Sequence, residues 1–127
     1  MIDSLSAPIG IIDIGSNSVR LVVFEAPYLN ERPIFNEKVQ CGLGDDLDTT
    51  GRLNPEAKDR TIQTLTGFVS LARAMKIGHL IPIATAAMRD AADGADFITD
   101  IKAQTGLDIT IISGEDEARY SGLGVLA

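Results

Sequence analysis

Apolar positions in this chain fall into short runs separated by glycine, proline and acidic residues, and each run has its own period. Ile9 to Ile14 is mostly apolar and is ended by Asp13 and Gly15, and Ser18 to Glu25 follows with the β-branched Val19, Val22 and Val23. Such runs predict two strands joined by a tight turn. Ile34 to Val39 predicts a third, with Ala26 and Pro27 marking the reversal before it, so that the three form an antiparallel meander. After a polar loop holding Gly42-Leu43-Gly44 and Thr49-Thr50-Gly51, the period changes. Asn54, Pro55 and Glu56 supply an N-cap, a proline at the first helical position and early negative charge. Ile62, Leu65, Phe68, Val69, Ala72 and Met75 then recur at mostly helical spacing, and Gly78 is the expected stop.

His79 to Ala84 predicts a strand, Thr85 to Ala91 a turn into a short helix, and Asp93 to Gln104 a further helix closed by Gly106. Asp108 to Ile112 is the last expected strand. The Ser113-Gly114 turn, followed by Glu115, Asp116 and Glu117, opens a final helix with acids in its first turn. The order β-β-β-α-β-α-β-α is that of a layered α/β domain. Residues 1–127 read as one unit, without repeat, low-complexity tract or linker.

Composition narrows the function. An apolar fraction of 45% suffices for a core without disulfides. The net charge of -7 is scattered, which excludes broad capture of nucleic acid and requires any anionic ligand to be held by a local site. Cys41 and His79 are the sole cysteine and histidine, and both read as packing residues rather than a nucleophile pair. No apolar stretch has the length of a membrane span, and Met1 to Pro8 lacks the form of a signal peptide. A cytoplasmic protein without membrane association is expected.

Three places carry candidate chemistry. Gly15-Ser16-Asn17-Ser18 offers close backbone approach plus small hydroxyl and amide donors, as a phosphate-binding turn needs, and Asp13 beside it could hold a metal ion. The same residues also suit an ordinary hairpin turn, and no Gly-Lys-Ser/Thr follows to make a P-loop. Arg89, just past a strand end, is either a forked phosphate clamp or a surface arginine paired with Asp90 or Asp93. The acids Glu115, Asp116 and Glu117 are explained by helix-start electrostatics alone.

Four stretches together carry a resemblance. Ile11 to Leu21, Gly51-Arg52-Leu53 with Ala57 and Arg60, Ala84 to Ala91, and Ile111 to Arg119 resemble, in order, motifs of the exopolyphosphatase and guanosine pentaphosphate phosphatase (Ppx/GppA) family, an actin-like group. Asp93 and Asp116 depart from the pattern, standing where the family often has Asn and Glu.

The resemblance implies a ribonuclease H-like (actin-like ATPase) lobe: a mixed five-stranded sheet with helices packed on it. It implies that Gly15, Ser16, Asn17, Ser18 and Arg89 bind phosphate. Glu117 would be the general base for the attacking water, and Asp13 and Glu117 would hold Mg2+ or another divalent cation. The implied substrates are inorganic polyphosphate or guanosine pentaphosphate, a nucleotide of the stringent response. The family's second lobe, with its Asp-Xaa-Gly-Gly-Gly-Ser turn, has no counterpart here, so this chain is expected to be the N-terminal lobe and to turn over little or nothing without its C-terminal lobe. A homodimer is open for the full-length protein. Two alternatives stay open, a non-catalytic actin-like nucleotide-binding or interaction module and a small-molecule kinase.

Overall fold

A computed structural model describes residues 7–25 and 32–116. The first three strands are β1 (Ile9–Ile14), β2 (Ser18–Phe24) and β3 (Phe35–Gln40), each within one residue of its expected bounds. The loop expected from Gly42 to Gly51 contains a four-residue helical turn, α1 (Leu47–Thr50), that the pattern does not announce. It forms because the Thr49 and Thr50 hydroxyls donate back to the Asp46 carbonyl, at 3.1 and 2.9 Å.

Helix α2 (Pro55–Ala74) starts as expected: the Asn54 side chain accepts the Ala57 N–H at 2.9 Å, and Pro55 occupies the first turn. It stops before Gly78. Lys76 takes the left-handed conformation (φ 56), and the Ile77 N–H reaches back to the Ala72 carbonyl. The reason is register. His79 must lie level with Ile9 in the sheet, and Gly78 bonds the Pro8 carbonyl instead of capping the helix. The buried face of α2 is Ala57, Thr61, Leu65, Phe68 and Ala72, with Ile62, Val69 and Met75 at its edge. Truncating Leu65, wholly buried, to Ala should cost about 2–5 kcal/mol.

Strand β4 (His79–Ala84) leads into the short helix α3 (Ala86–Asp90) and then α4 (Gly94–Thr105), which Gly106 ends at φ 80 as expected. Between α3 and α4 the chain turns so tightly that a Cβ on Gly94 would land on the Met88 carbonyl oxygen. Strand β5 is Thr110–Ile111, shorter than the expected Asp108 to Ile112. The Asp116 N–H bonds Ser113 Oγ at 3.0 Å at the start of the next helical turn.

The five strands form one mixed sheet in the order β3-β2-β1-β4-β5. Strands β1 to β3 are the antiparallel meander, and β4 and β5 run parallel to β1. One face, with Ile12, Ile14, Val19, Leu21 and Val23, packs on Leu65, Phe68, Phe97 and Ile101 of α2 and α4. The other carries a smaller cluster of Ile11, Val22, Phe24, Ile83 and Ile112.

Candidate functional site

The parallel pairing of β1, β4 and β5 sets three strand ends level. Ile14 pairs with Ala84, and Ala84 with Ile111. The next residues extend the ladder: the Thr85 N–H bonds the Ile14 carbonyl at 3.2 Å, and the Ile112 N–H bonds the Ala84 carbonyl at 3.0 Å. The Gly15–Ser18 turn, the α3 corner and the Ile112-Ser113 segment therefore leave the sheet along one edge. This carboxyl edge is where open α/β sheets bind ligands.

Within the turn, the Gly15 N–H closes on the Ser18 carbonyl at 2.9 Å. The Ser16 carbonyl accepts from Gly44 N–H at 2.9 Å, and the Asn17 carbonyl accepts from both Cys41 and Gly42 N–H, at 3.0 and 2.9 Å. The N–H groups of Ser16 and Asn17 donate to no acceptor among the described residues. The Ser16 and Asn17 carbonyls are thus occupied while two successive N–H donors have no partner among the described residues, the polarity of an anion-binding concavity.

Residues 41–44 lie against this turn because β3 ends beside it, with Gln40 paired to Ser18. Gly42 makes the reversal at φ 77, where a side chain would also meet the Asp45 carboxylate. Helix α2 holds Cys41 from behind. Arg60 gives Nε and Nη2 to the Cys41 carbonyl at 3.1 and 2.8 Å, and Thr64 Oγ1 lies 3.6 Å from the buried thiol. Asn17, Gln40, Cys41, Gly42, Asp45 and Arg60 line a polar cleft of about 380 Å³.

Arg89 sits in α3 at the same edge. Its Nη1 donates to the Ile112 carbonyl at 3.0 Å, and its Nε lies 3.5 Å from Asp90. The local pairing expected for a surface arginine is therefore present with Asp90, and the pairing with Asp93 is not. About a third of the side chain remains exposed, at 34%.

Asp93 serves the scaffold instead. It is 4% exposed, accepts the Leu53 N–H at 2.9 Å on Oδ1 and pairs with Lys58 Nζ at 3.1 Å on Oδ2. Burial pushes its carboxyl up, but the hydrogen bonds from Leu53 and Lys58, its own backbone and the lysine charge outweigh this and hold it below its ordinary value. Alongside, the Ala92 N–H bonds the Gly51 carbonyl at 2.8 Å. The loop before α2 is thereby fixed to the corner that follows Arg89.

The sheet thus brings Asp13, partly buried at the end of β1, together with Gly15, Ser16, Asn17, Ser18 and Arg89 at one edge. Glu117 lies outside the described residues, as does Arg119. Among the described residues no three acidic, histidine or cysteine side chains converge as metal ligands, and no helix is long and apolar enough to cross a membrane. Reading the sequence missed the backing role of the 41–44 loop, Arg60 and Asp93. The one local signal was Leu43 between two glycines, an apolar residue that proves wholly buried in a stretch otherwise read as loop.

A model of the Ppx/GppA phosphatase family matches residues 21–127, a span that includes Arg89 and Glu117 and begins after the turn. Exopolyphosphatase 1 of Mycobacterium tuberculosis is 30% identical over 118 residues, covering 92% of this chain and 34% of that protein. The chain spans about a third of the length of the exopolyphosphatase it matches. The crystal structure of the Aquifex aeolicus Ppx/GppA family member superposes with a TM-score of 0.86 at 32% identity, over 94% of this chain and 39% of that one. The ethanolamine utilization protein EutJ of Carboxydothermus hydrogenoformans shares the fold at 16% identity, with a TM-score of 0.56 over 92% of this chain and 40% of its own.

Proposed function

Because the chain belongs to the Ppx/GppA phosphatase family, we propose that it is the N-terminal lobe of a two-lobe phosphoanhydride hydrolase that releases terminal phosphate from inorganic polyphosphate or guanosine pentaphosphate. The observation that carries this reading is the level pairing of Ile14, Ala84 and Ile111, which puts the donor turn and Arg89 on one edge of the sheet. Similarity to exopolyphosphatases favours polyphosphate between the two substrates.

In this reading the N–H groups of Ser16 and Asn17, the small side chains of the turn and the Arg89 guanidinium hold the terminal phosphoryl oxygens. Charge that builds on those oxygens during transfer is met by donors already in place. Glu117 orients a water in line with the scissile bond and takes its proton. The water oxygen bonds to the terminal phosphorus, the bridging P–O bond breaks, and orthophosphate and a chain one unit shorter result. Asp13 and Glu117 are the residues that would hold Mg2+ or another divalent cation, which when bound neutralises phosphate charge. The carboxylate of Asp13 at the edge beside the turn is a hard oxygen donor suited to such an ion. A C-terminal lobe would supply the rest of the clamp, consistent with the share of the relatives that this chain spans.

The test is phosphate release from tripolyphosphate and guanosine pentaphosphate by the protein carrying both lobes, with and without Glu117→Ala. Turnover that is lost in the variant while substrate binding persists is the expected result. Hydrolysis of neither substrate would sink the enzyme reading and favour a non-catalytic module. Glu117-dependent turnover by the 127-residue chain alone would sink the two-lobe reading.

A further inference from the structure

We infer that Arg60 is a positioning residue for the anion-binding turn, acting through the Cys41 carbonyl. The inference rests on the phosphate-binding reading of the Gly15–Ser18 turn. The connection is short and made of few bonds. Arg60 gives two donors to one carbonyl, at 3.1 and 2.8 Å, and the N–H of the same residue, Cys41, holds the Asn17 carbonyl at 3.0 Å. The next N–H, of Gly42, holds that carbonyl as well, at 2.9 Å.

An exposed arginine on a helix usually spends its fork on carboxylates or water. Here it is spent on the backbone of a residue 2% exposed, from a helix whose start is itself fixed by the Asn54 cap. Thr64, one helical turn further on, meets the same residue through its thiol. Helix α2 therefore grips Cys41 by carbonyl and side chain, leaving its N–H for the turn. The Asn17 carbonyl is separated from the Asn17 N–H by that residue's φ and ψ alone, so anchoring it restricts where that donor points, and a donor displaced by a fraction of an ångström loses much of its grip on a phosphoryl oxygen. Arg60 does not need to touch the phosphate to set its affinity.

The experiment titrates tripolyphosphate into the 127-residue chain and its variants Arg60→Met and Arg60→Lys, following backbone amide resonances, with amide hydrogen exchange measured in parallel. Arg60→Met should weaken binding at the Ser16 and Asn17 amides about tenfold. Exchange should quicken at Cys41 and Gly42 but not at Ile12 or Ile83 in the sheet. Arg60→Lys keeps one donor for the carbonyl and should fall between. If Arg60→Met loses protection throughout, Arg60→Lys alone carries the comparison. Unchanged affinity in both variants beside a wild-type chain that binds would overturn the role of Arg60. A wild-type chain whose Ser16 and Asn17 amides do not respond to tripolyphosphate would overturn the phosphate turn, and the positioning role with it.

Discussion

Leu53 donates its backbone N–H to Asp93 Oδ1 across 2.9 Å, joining two loops that are 40 residues apart. With Lys58 on the other oxygen, the carboxylate is the tie between the start of α2 and the corner behind Arg89. Asp93→Ala would leave both a buried N–H and a lysine without their partner, and should cost about 2–3 kcal/mol. Asp93→Asn keeps an acceptor for Leu53 and should cost about 1 kcal/mol. Urea unfolding of the two variants measures the difference, and equal losses would show that the Leu53 bond contributes little.

The same carboxylate gives a pH dependence of known sign. Its folded pKa lies below its ordinary value of 3.8, so its contribution is complete above that value and is lost as pH falls through the folded pKa. Thermal midpoints followed from neutral pH to below 3.8 should fall more steeply for the unsubstituted chain than for Asp93→Asn. Parallel curves would assign acid unfolding to other carboxylates.

Gly94 admits no side chain without movement of the α3 corner, because its Cβ would collide with the Met88 carbonyl oxygen. Gly94→Ala should destabilise by about 2–4 kcal/mol, more than any helix-propensity gain could offset. Calorimetry is the check, and a neutral or stabilising result would mean that the corner relaxes freely.

Arg89 is held by the Ile112 carbonyl and Asp90 through Nη1 and Nε, with about a third of the side chain exposed, at 34%. Arg89→Lys should retain the fold yet lower turnover of the two-lobe protein about a hundredfold, since an ammonium cannot replace a forked donor on phosphoryl oxygens. Circular dichroism and phosphate release together test this. Near-normal turnover would reduce Arg89 to a surface ion pair.

The strands and helices were legible because their signals are local: an apolar run in β1, β-branched residues in β2, and cap and proline at Asn54 and Pro55. Where the reading slipped, a distant partner had decided the matter. The α2 face turns on Thr61, a polar residue that an apolar pattern passes over, and the helix stops at Ala74, before the left-handed Lys76, because β4 must start beside Ile9. The candidate site was legible in its parts, Asp13 to Ser18 and Arg89, but not in its support. Cys41, Gly42 and Gly44 act through backbone N–H groups, which leave no mark on side-chain identity. Asp93 could be seen as an acid near Arg89, whereas its partners Leu53 and Lys58 lie 40 and 35 residues earlier, at the start of α2.

A turn proposed to bind phosphate in part through its peptide groups has a genetic consequence. Every residue except proline carries an N–H, so replacing Ser16 or Asn17 by alanine removes a side chain and leaves the donors in place. Alanine scanning would therefore read only the side-chain share of the proposed phosphate turn, and the share carried by backbone donors would surface instead at Gly42 and Arg60, which hold the turn through the Asn17 and Cys41 carbonyls. Proline at Ser16 or Asn17 is the substitution that deletes a donor, and a proline scan is the map on which this edge of the sheet would stand out.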